Sequence, residues 1–184
     1  MRARTINERR AYIFDFDETL VKTDAKIDIY RNGAFYKSLT PKQFNFYKQK
    51  PYDKLDFSDF DNGELILKAK KYKMWPALQN INKAIKENRS TSDIYILTAR
   101  TTLAKPYIYE FLKQNGININ INNIFTIGDK LEKNSISIEK RKILKDLSKK
   151  YDITYFFDDN PDTIKLANNI KGVKTRLVEN KNKK

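Results

Sequence analysis

The chain has 184 residues, 37 of them basic and 23 acidic, for a net charge of +14. It contains neither cysteine nor histidine, which excludes a disulfide framework, a thiolate nucleophile or metal site, and imidazole as base or ligand. No apolar run approaches the roughly 18 residues of a membrane span and the N-terminus lacks a signal-peptide core, so the expectation is a soluble, cytoplasmic chain with no membrane partner, one domain with a small insertion.

Residues 1–10 read as a loose basic arm, with Arg2, Arg4, Arg9 and Arg10 against Glu8. "AYIFDFDETLV" follows, and Tyr12–Phe16 reads as a buried strand. Asp15 and Asp17 fall at its end, where carboxylates are costly unless a fixed cation or a metal ion neutralises them. "KIDIYRNGAFYKSL" is two alternating runs around Asn32-Gly33, the signal for a type I′ hairpin. Thr40, Pro41 and Gln43 then start a short helix through a capping box, running to about Gln49. Residues 51–63 read as a loop anchored by Phe57 and Phe60. After Pro76 a helical period follows, then a strand ending at Thr98, a helix from about Leu103 to Asn115 stopped by Gly116, and a short strand at Ile124–Ile127. A helix from about Ile138 to Lys150, the strand "ITYFF" running into Asp158-Asp159, a helix near Pro161–Asn169 and a strand near Val173–Val178 complete the core. Residues 179–184 form a polar, basic tail expected to be disordered.

Strands alternating with helices imply a doubly wound, Rossmann-like α/β domain over 11–178: a parallel sheet flanked by helices, with a β-hairpin flap and small cap inserted at about 24–73. Ligands of such sheets sit at the carboxyl ends of the strands. Three apolar strands end in polar residues: Asp15/Asp17, Thr98/Arg100 and Asp158/Asp159. If those strands are neighbours, the ends converge on one crevice.

These residues carry a resemblance. "FDFDETL" resembles the D-x-D-x-T signature of the haloacid dehalogenase (HAD) superfamily of aspartate-nucleophile phosphohydrolases. "ILTAR" is similar to that family's second motif, a strand ending in Thr or Ser. A Lys on a later helix and an acidic pair after a core strand complete the family's set, in its order, over residues 12 to about 162. The resemblance implies an Mg²⁺-dependent phosphomonoester hydrolase. Asp15 would be the nucleophile that forms an aspartyl-phosphate, and Asp17 the general acid and then base. Thr98 would donate to the transferring phosphoryl oxygens, and Arg100 would grip a substrate phosphate or pair at the surface. "EKRK" offers Lys140 or Lys142 as the site lysine; Lys140 fits better, since Ile143, Leu144 and Leu147 follow it on an apolar face. Asp129 and Asp158/Asp159 compete for the acidic motif, and the family order favours the second. The metal set implied is Asp15, the backbone carbonyl of Asp17, Asp159 directly and Asp158 through water, with Thr19 ordering the turn.

A modest cap leaves the crevice open to large substrates. With the basic charge, this makes nucleotides or nucleic-acid phosphate termini candidate partners. The same charge, mostly Lys alongside many Asn and Ile, equally fits a coding bias, which leaves a small-metabolite phosphatase or a non-catalytic nucleic-acid-binding module as alternatives.

Overall fold

The computed structural model describes residues 8–130 and 136–179. The chain begins with β1 (Arg10–Phe14) and departs into an insertion made of β2 (Val21–Lys22), β3 (Ile27–Arg31), β4 (Ala34–Leu39), α1 (Pro41–Asn45), β5 (Asp53–Asp56), α2 (Gly63–Leu67) and β6 (Lys70–Lys71). It returns through α3 (Trp75–Lys86) to β7 (Asp93–Thr98), α4 (Lys105–Gln114) and β8 (Ile124–Thr126). Then come α5 (Ile136–Ser148), β9 (Ile153–Asp158), α6 (Pro161–Ala167) and β10 (Val173–Leu177).

Five strands make one sheet in the order β10-β9-β1-β7-β8, with every neighbouring pair parallel. This is the doubly wound α/β arrangement that the alternating pattern predicts. The chain winds outward from β1 to β7 and β8, then crosses to β9 and β10 on the other flank. The winding therefore reverses beside β1, the place where sheets of this kind bind their ligands.

The two-residue period of β1 decides what each face receives. Phe14 and Phe16 pack with Leu78, Ile96, Ile108 and Phe111, on the side of α3 and α4. Ala11 and Ile13 pack instead with Leu97, Leu144, Leu147 and Ile164, on the side of α5 and α6. Phe14, Phe16 and Phe156 are fully buried, and burying each contributes about 1.5–3 kcal/mol. That packing fixes the strand ends from which the carboxylates project.

The insertion has its own antiparallel sheet, ordered β4-β3-β5, over a small core of Ile27, Ile29, Leu39 and Phe44. Asn32 and Gly33 both take positive φ, 52° and 81°, as a type I′ turn requires. Thr40 caps α1 with both bonds of the capping box formed. The helix stops at Asn45 rather than Gln49: Asp53 draws the chain beyond it away, accepting from the Tyr47 hydroxyl at 2.6 Å and from the backbone N–H of Lys50 at 2.9 Å. Residues 51–63 are not the expected loop, since β5 pairs with β3 there. "DKLD" has poor strand propensity, with only Leu55 to bury, so pairing with β3 overrides the local preference. Phe60 packs on the small core as an anchor, and Phe57, though 39% exposed, sets its ring against Phe44 and Phe60. A two-stranded ribbon, β2 with β6, carries no sequence signal at two residues each. The arm and tail, apart from Glu8–Arg10 and Glu179, lie outside the described residues.

Candidate active site

Asp15 follows β1 directly, and its backbone N–H donates to the carbonyl of Phe157 on β9 at 2.9 Å. Continuing the two-residue alternation sends its side chain towards α5. There Lys140, Leu144 and Leu147 recur at helical spacing and are all buried. The Lys140 ammonium donates to Asp15 Oδ1 at 2.6 Å and to Asp158 Oδ2 at 2.8 Å, with its side chain 4% exposed. Lys142 lies outside this site and pairs with Glu139 on the exposed side of the helix. Of the two lysines, Lys140 therefore faces the strand ends and Lys142 the exposed side of the helix.

Asp158, fully buried at the end of β9, also accepts from the backbone N–H of Asn160 at 2.8 Å. Its neighbour Asp159 sits against the same cluster, within range of the Lys140 charge but without a salt bridge among the described residues. Burial pushes the Asp159 carboxyl up to about 8, and the nearby charges of Asp15 and Asp158 add to the rise. Burial likewise pushes Asp15 up to about 7, with Lys140 opposing and Asp158 reinforcing. Burial also works against the charge of Lys140, but Asp15 and Asp158 outweigh it and hold the ammonium above its ordinary value. Three carboxyl groups thus share one ammonium, and two of them, Asp15 and Asp159, keep their protons to higher pH than ordinary carboxyls.

Asp17 is held differently. Arg100 Nε donates to its Oδ2 at 2.8 Å and Nη2 to its Oδ1 at 2.7 Å, a two-pronged clamp. Thr23 adds a hydroxyl bond to Oδ1 at 3.2 Å. Arg100 is only 1% exposed; its Nη1 donates to the Phe60 carbonyl at 2.6 Å, and its guanidinium lies 5.0 Å from the Phe60 ring. It is neither paired at the surface nor directed at open solvent: the structure puts it beneath Asp17, bridged to the insertion. Glu18, between Asp17 and Thr19, takes a positive φ of 57°, a conformation that costs a non-glycine residue about 1 kcal/mol. The turn it forms is stapled by Leu20 and Val21 N–H groups donating to the Phe16 carbonyl, each at 3.0 Å.

Thr98, 1% exposed, ends β7 beside β1. Its Oγ1 accepts from the Arg100 backbone N–H at 3.3 Å, so the hydroxyl shapes the turn after the strand and keeps its own hydrogen for another acceptor. Thr19 holds the turn through its carbonyl, which accepts from the Met74 N–H at 3.1 Å, while its buried hydroxyl has no partner among the described residues. Asp129 accepts from Thr102, from the backbone at 3.0 Å and from the hydroxyl, and so caps the turn after β7. Gly128 beside it donates to the Arg100 carbonyl at 3.0 Å; a Cβ there would meet backbone atoms of Ala99 and Arg100. Sequence reasoning missed Thr23 and the Phe60 carbonyl, and a backbone acceptor leaves no sequence signal to read.

Among the described residues no three carboxylates converge tightly enough to cage a metal ion. Mg²⁺ does not require a cage, since it characteristically takes one or two carboxylates and leaves its other positions to water and substrate oxygen. The donor set fits such an ion: Asp15 and Asp159 are neighbouring carboxyl groups about a single ammonium, and the carbonyl of Asp17 follows in the same turn.

The fold and site together define a doubly wound α/β domain with an acidic crevice at its switch point. No protein-family model matches the chain, and no curated protein matches it. Solved structures of the HAD domain of effector protein Lem4 from Legionella pneumophila are similar to it. One, an inactive mutant, has 15% identity and a TM-score of 0.47 over 93% of this chain and 86% of that one. Another has 14% identity and a TM-score of 0.46 over 92% and 85%.

Proposed function

We propose that this protein is a Mg²⁺-dependent phosphomonoester hydrolase working through an aspartyl-phosphate on Asp15. The observation that carries the reading is the buried contact of one ammonium, Lys140, with two carboxylates, Asp15 and Asp158, at the carboxyl ends of adjacent parallel strands. A third carboxyl group, Asp159, and the clamped Asp17 stand beside it.

In this reading an Asp15 oxygen attacks phosphorus as the ester P–O bond breaks, which forms the acyl phosphate. The leaving oxygen takes a proton from Asp17. Asp17 then accepts a proton from the water that attacks phosphorus, so that inorganic phosphate departs and Asp15 is restored. Asp17 reaches this role once one of its oxygens leaves the Arg100 fork. Lys140 offsets the negative charge on Asp15 during the approach of a phosphate dianion, and the Thr98 hydroxyl donates to a phosphoryl oxygen. Mg²⁺, held by Asp15, Asp159 and the Asp17 carbonyl, would supply charge neutralisation between nucleophile and phosphate.

Asp15→Asn tests the reading. The amide keeps the shape and leaves Lys140 paired with Asp158, so the fold should persist while turnover of a small phosphate ester falls by orders of magnitude. Near-normal turnover in the purified variant would overturn the mechanism.

A further inference from the structure

The insertion sheet carries a cluster of rings and cations that the phosphatase reading does not use. Arg31, next to the hairpin turn, lies 3.8 Å from the Tyr36 ring centre and 5.5 Å from that of Tyr52. The Lys37 ammonium sits 5.3 Å from Tyr36 and 4.7 Å from Tyr47, and Lys50 sits 5.9 Å from Tyr52. The cluster is built on a buried support: Asp53 receives Arg31 at 2.9 Å and the Tyr47 hydroxyl at 2.6 Å. The Arg31 bond holds the Asp53 carboxyl well below the usual range, so this support stays charged. On top of it, Tyr36 is 47% and Tyr52 50% exposed, with Phe46 nearby in sequence at 76%. Between Lys26 and Asp56 the chain has seven basic residues against three acidic ones.

We propose that this face of the insertion binds single-stranded nucleic acid, with Tyr36 and Tyr52 as stacking plates and Lys37 and Lys50 as phosphate contacts. The proposal rests on the phosphatase reading for the reason why a strand would be there: its terminal phosphate is the substrate. Chemistry selects this ligand over other polyanions. Every base offers a flat face to an exposed ring, and each nucleotide brings a phosphate to a neighbouring cation. An acidic peptide supplies the charge without the plates.

The geometry also sets a length. Arg31 lies four residues beyond Ile27, the inner end of β3, about 13 Å along the strand at about 3.3 Å per residue. A stacked strand advances about 3.4 Å per nucleotide, so a bound strand needs about four nucleotides to span the length of β3 alone.

The test is fluorescence anisotropy of the full chain, without Mg²⁺, with labelled oligothymidylates of two and twelve nucleotides. The twelve-mer should bind at least tenfold more tightly than the dimer. Tyr36→Ala with Tyr52→Ala should weaken the twelve-mer at least tenfold, while Tyr36→Phe with Tyr52→Phe, which keeps the rings, should bind normally. Lys37→Gln with Lys50→Gln should make the dependence of log affinity on log salt shallower by about 1.4, at roughly 0.7 per phosphate contact. All variants should turn over para-nitrophenyl phosphate like the parent, which shows that they are folded. Equal twelve-mer affinity for parent and Ala variants overturns the proposal, as does tight binding to phosphatidylserine vesicles or polyglutamate with none to the twelve-mer. If the parent does not hydrolyse the small ester yet twelve-mer binding follows the rings, the phosphatase reading fails and the binding surface stands.

Discussion

Replacing Arg100 with Met isolates the clamp on Asp17. The guanidinium side chain is fully buried and Asp17 is 14% exposed, so the substitution strands a carboxylate that water reaches only partly. Removing one partner of a buried pair costs about 3–5 kcal/mol, and the residual access of Asp17 puts this case near about 3 kcal/mol. The Phe60 carbonyl loses its donor as well, adding about 1 kcal/mol. For a chain of this size each kcal/mol lowers the melting temperature by about 2–4 °C, so a fall of roughly 10 °C is expected by circular dichroism. Arg100→Lys keeps a charge but not the fork and should lose about 1–2 kcal/mol. The decisive comparison is Arg100→Met combined with Asp17→Asn, which removes the stranded charge and should recover more than half of the loss. If the double variant melts as low as the single one, the ion pair is not the source of the instability.

Two further outcomes follow from the carboxylate cluster. Asp159→Asn should abolish most activity and raise the Mg²⁺ concentration needed for half-maximal turnover. Asp129→Asn should leave that titration unchanged while costing about 1 kcal/mol as a weakened cap; the reverse pattern in a Mg²⁺ titration would reassign the acidic motif. The pH dependence has a definite sign. Asp15 and Asp159 rise from an ordinary 3.8 to about 7 and about 8, so the folded chain binds protons that the unfolded chain has released. In EDTA, stability should therefore be greatest at about pH 4–5 and decline as pH rises through about 7–8. Mg²⁺ should restore stability at the alkaline end, and Asp159→Asn should flatten the decline. A melting temperature that climbs with pH in EDTA would refute this account of the cluster.

The elements that sequence made legible are those whose burial writes a period into the chain. β1, β7 and β9 are apolar runs with abrupt polar ends, and α5 shows Lys140 in line with Leu144 and Leu147, which also separated it from Lys142. The elements that were illegible are held by partners far away in the chain. β5 has one apolar residue and exists because β3 pairs with it. The Arg100 fork could not be read because both its acceptors, Asp17 and a backbone carbonyl at Phe60, are set by tertiary placement. The order of motifs in the family it resembles favoured Asp158 and Asp159 over Asp129, but which of the two meets Lys140 depended on the pleat at the end of β9.

The register Asp28↔Asp56 and Arg31↔Asp53 means that the polypeptide enters and leaves the three-stranded sheet through neighbouring positions, about 5 Å apart as paired strands require. Nothing in the principal core has to be cut to exchange what lies between them, because Ile27, Ile29, Leu39 and Phe44 satisfy one another. The segment is in that sense a cassette: a short turn in its place would close at little entropic cost. A chain with such a turn in place of residues 28–56 should therefore still form the parallel sheet, since the strands and helices of that sheet lie outside the exchanged segment.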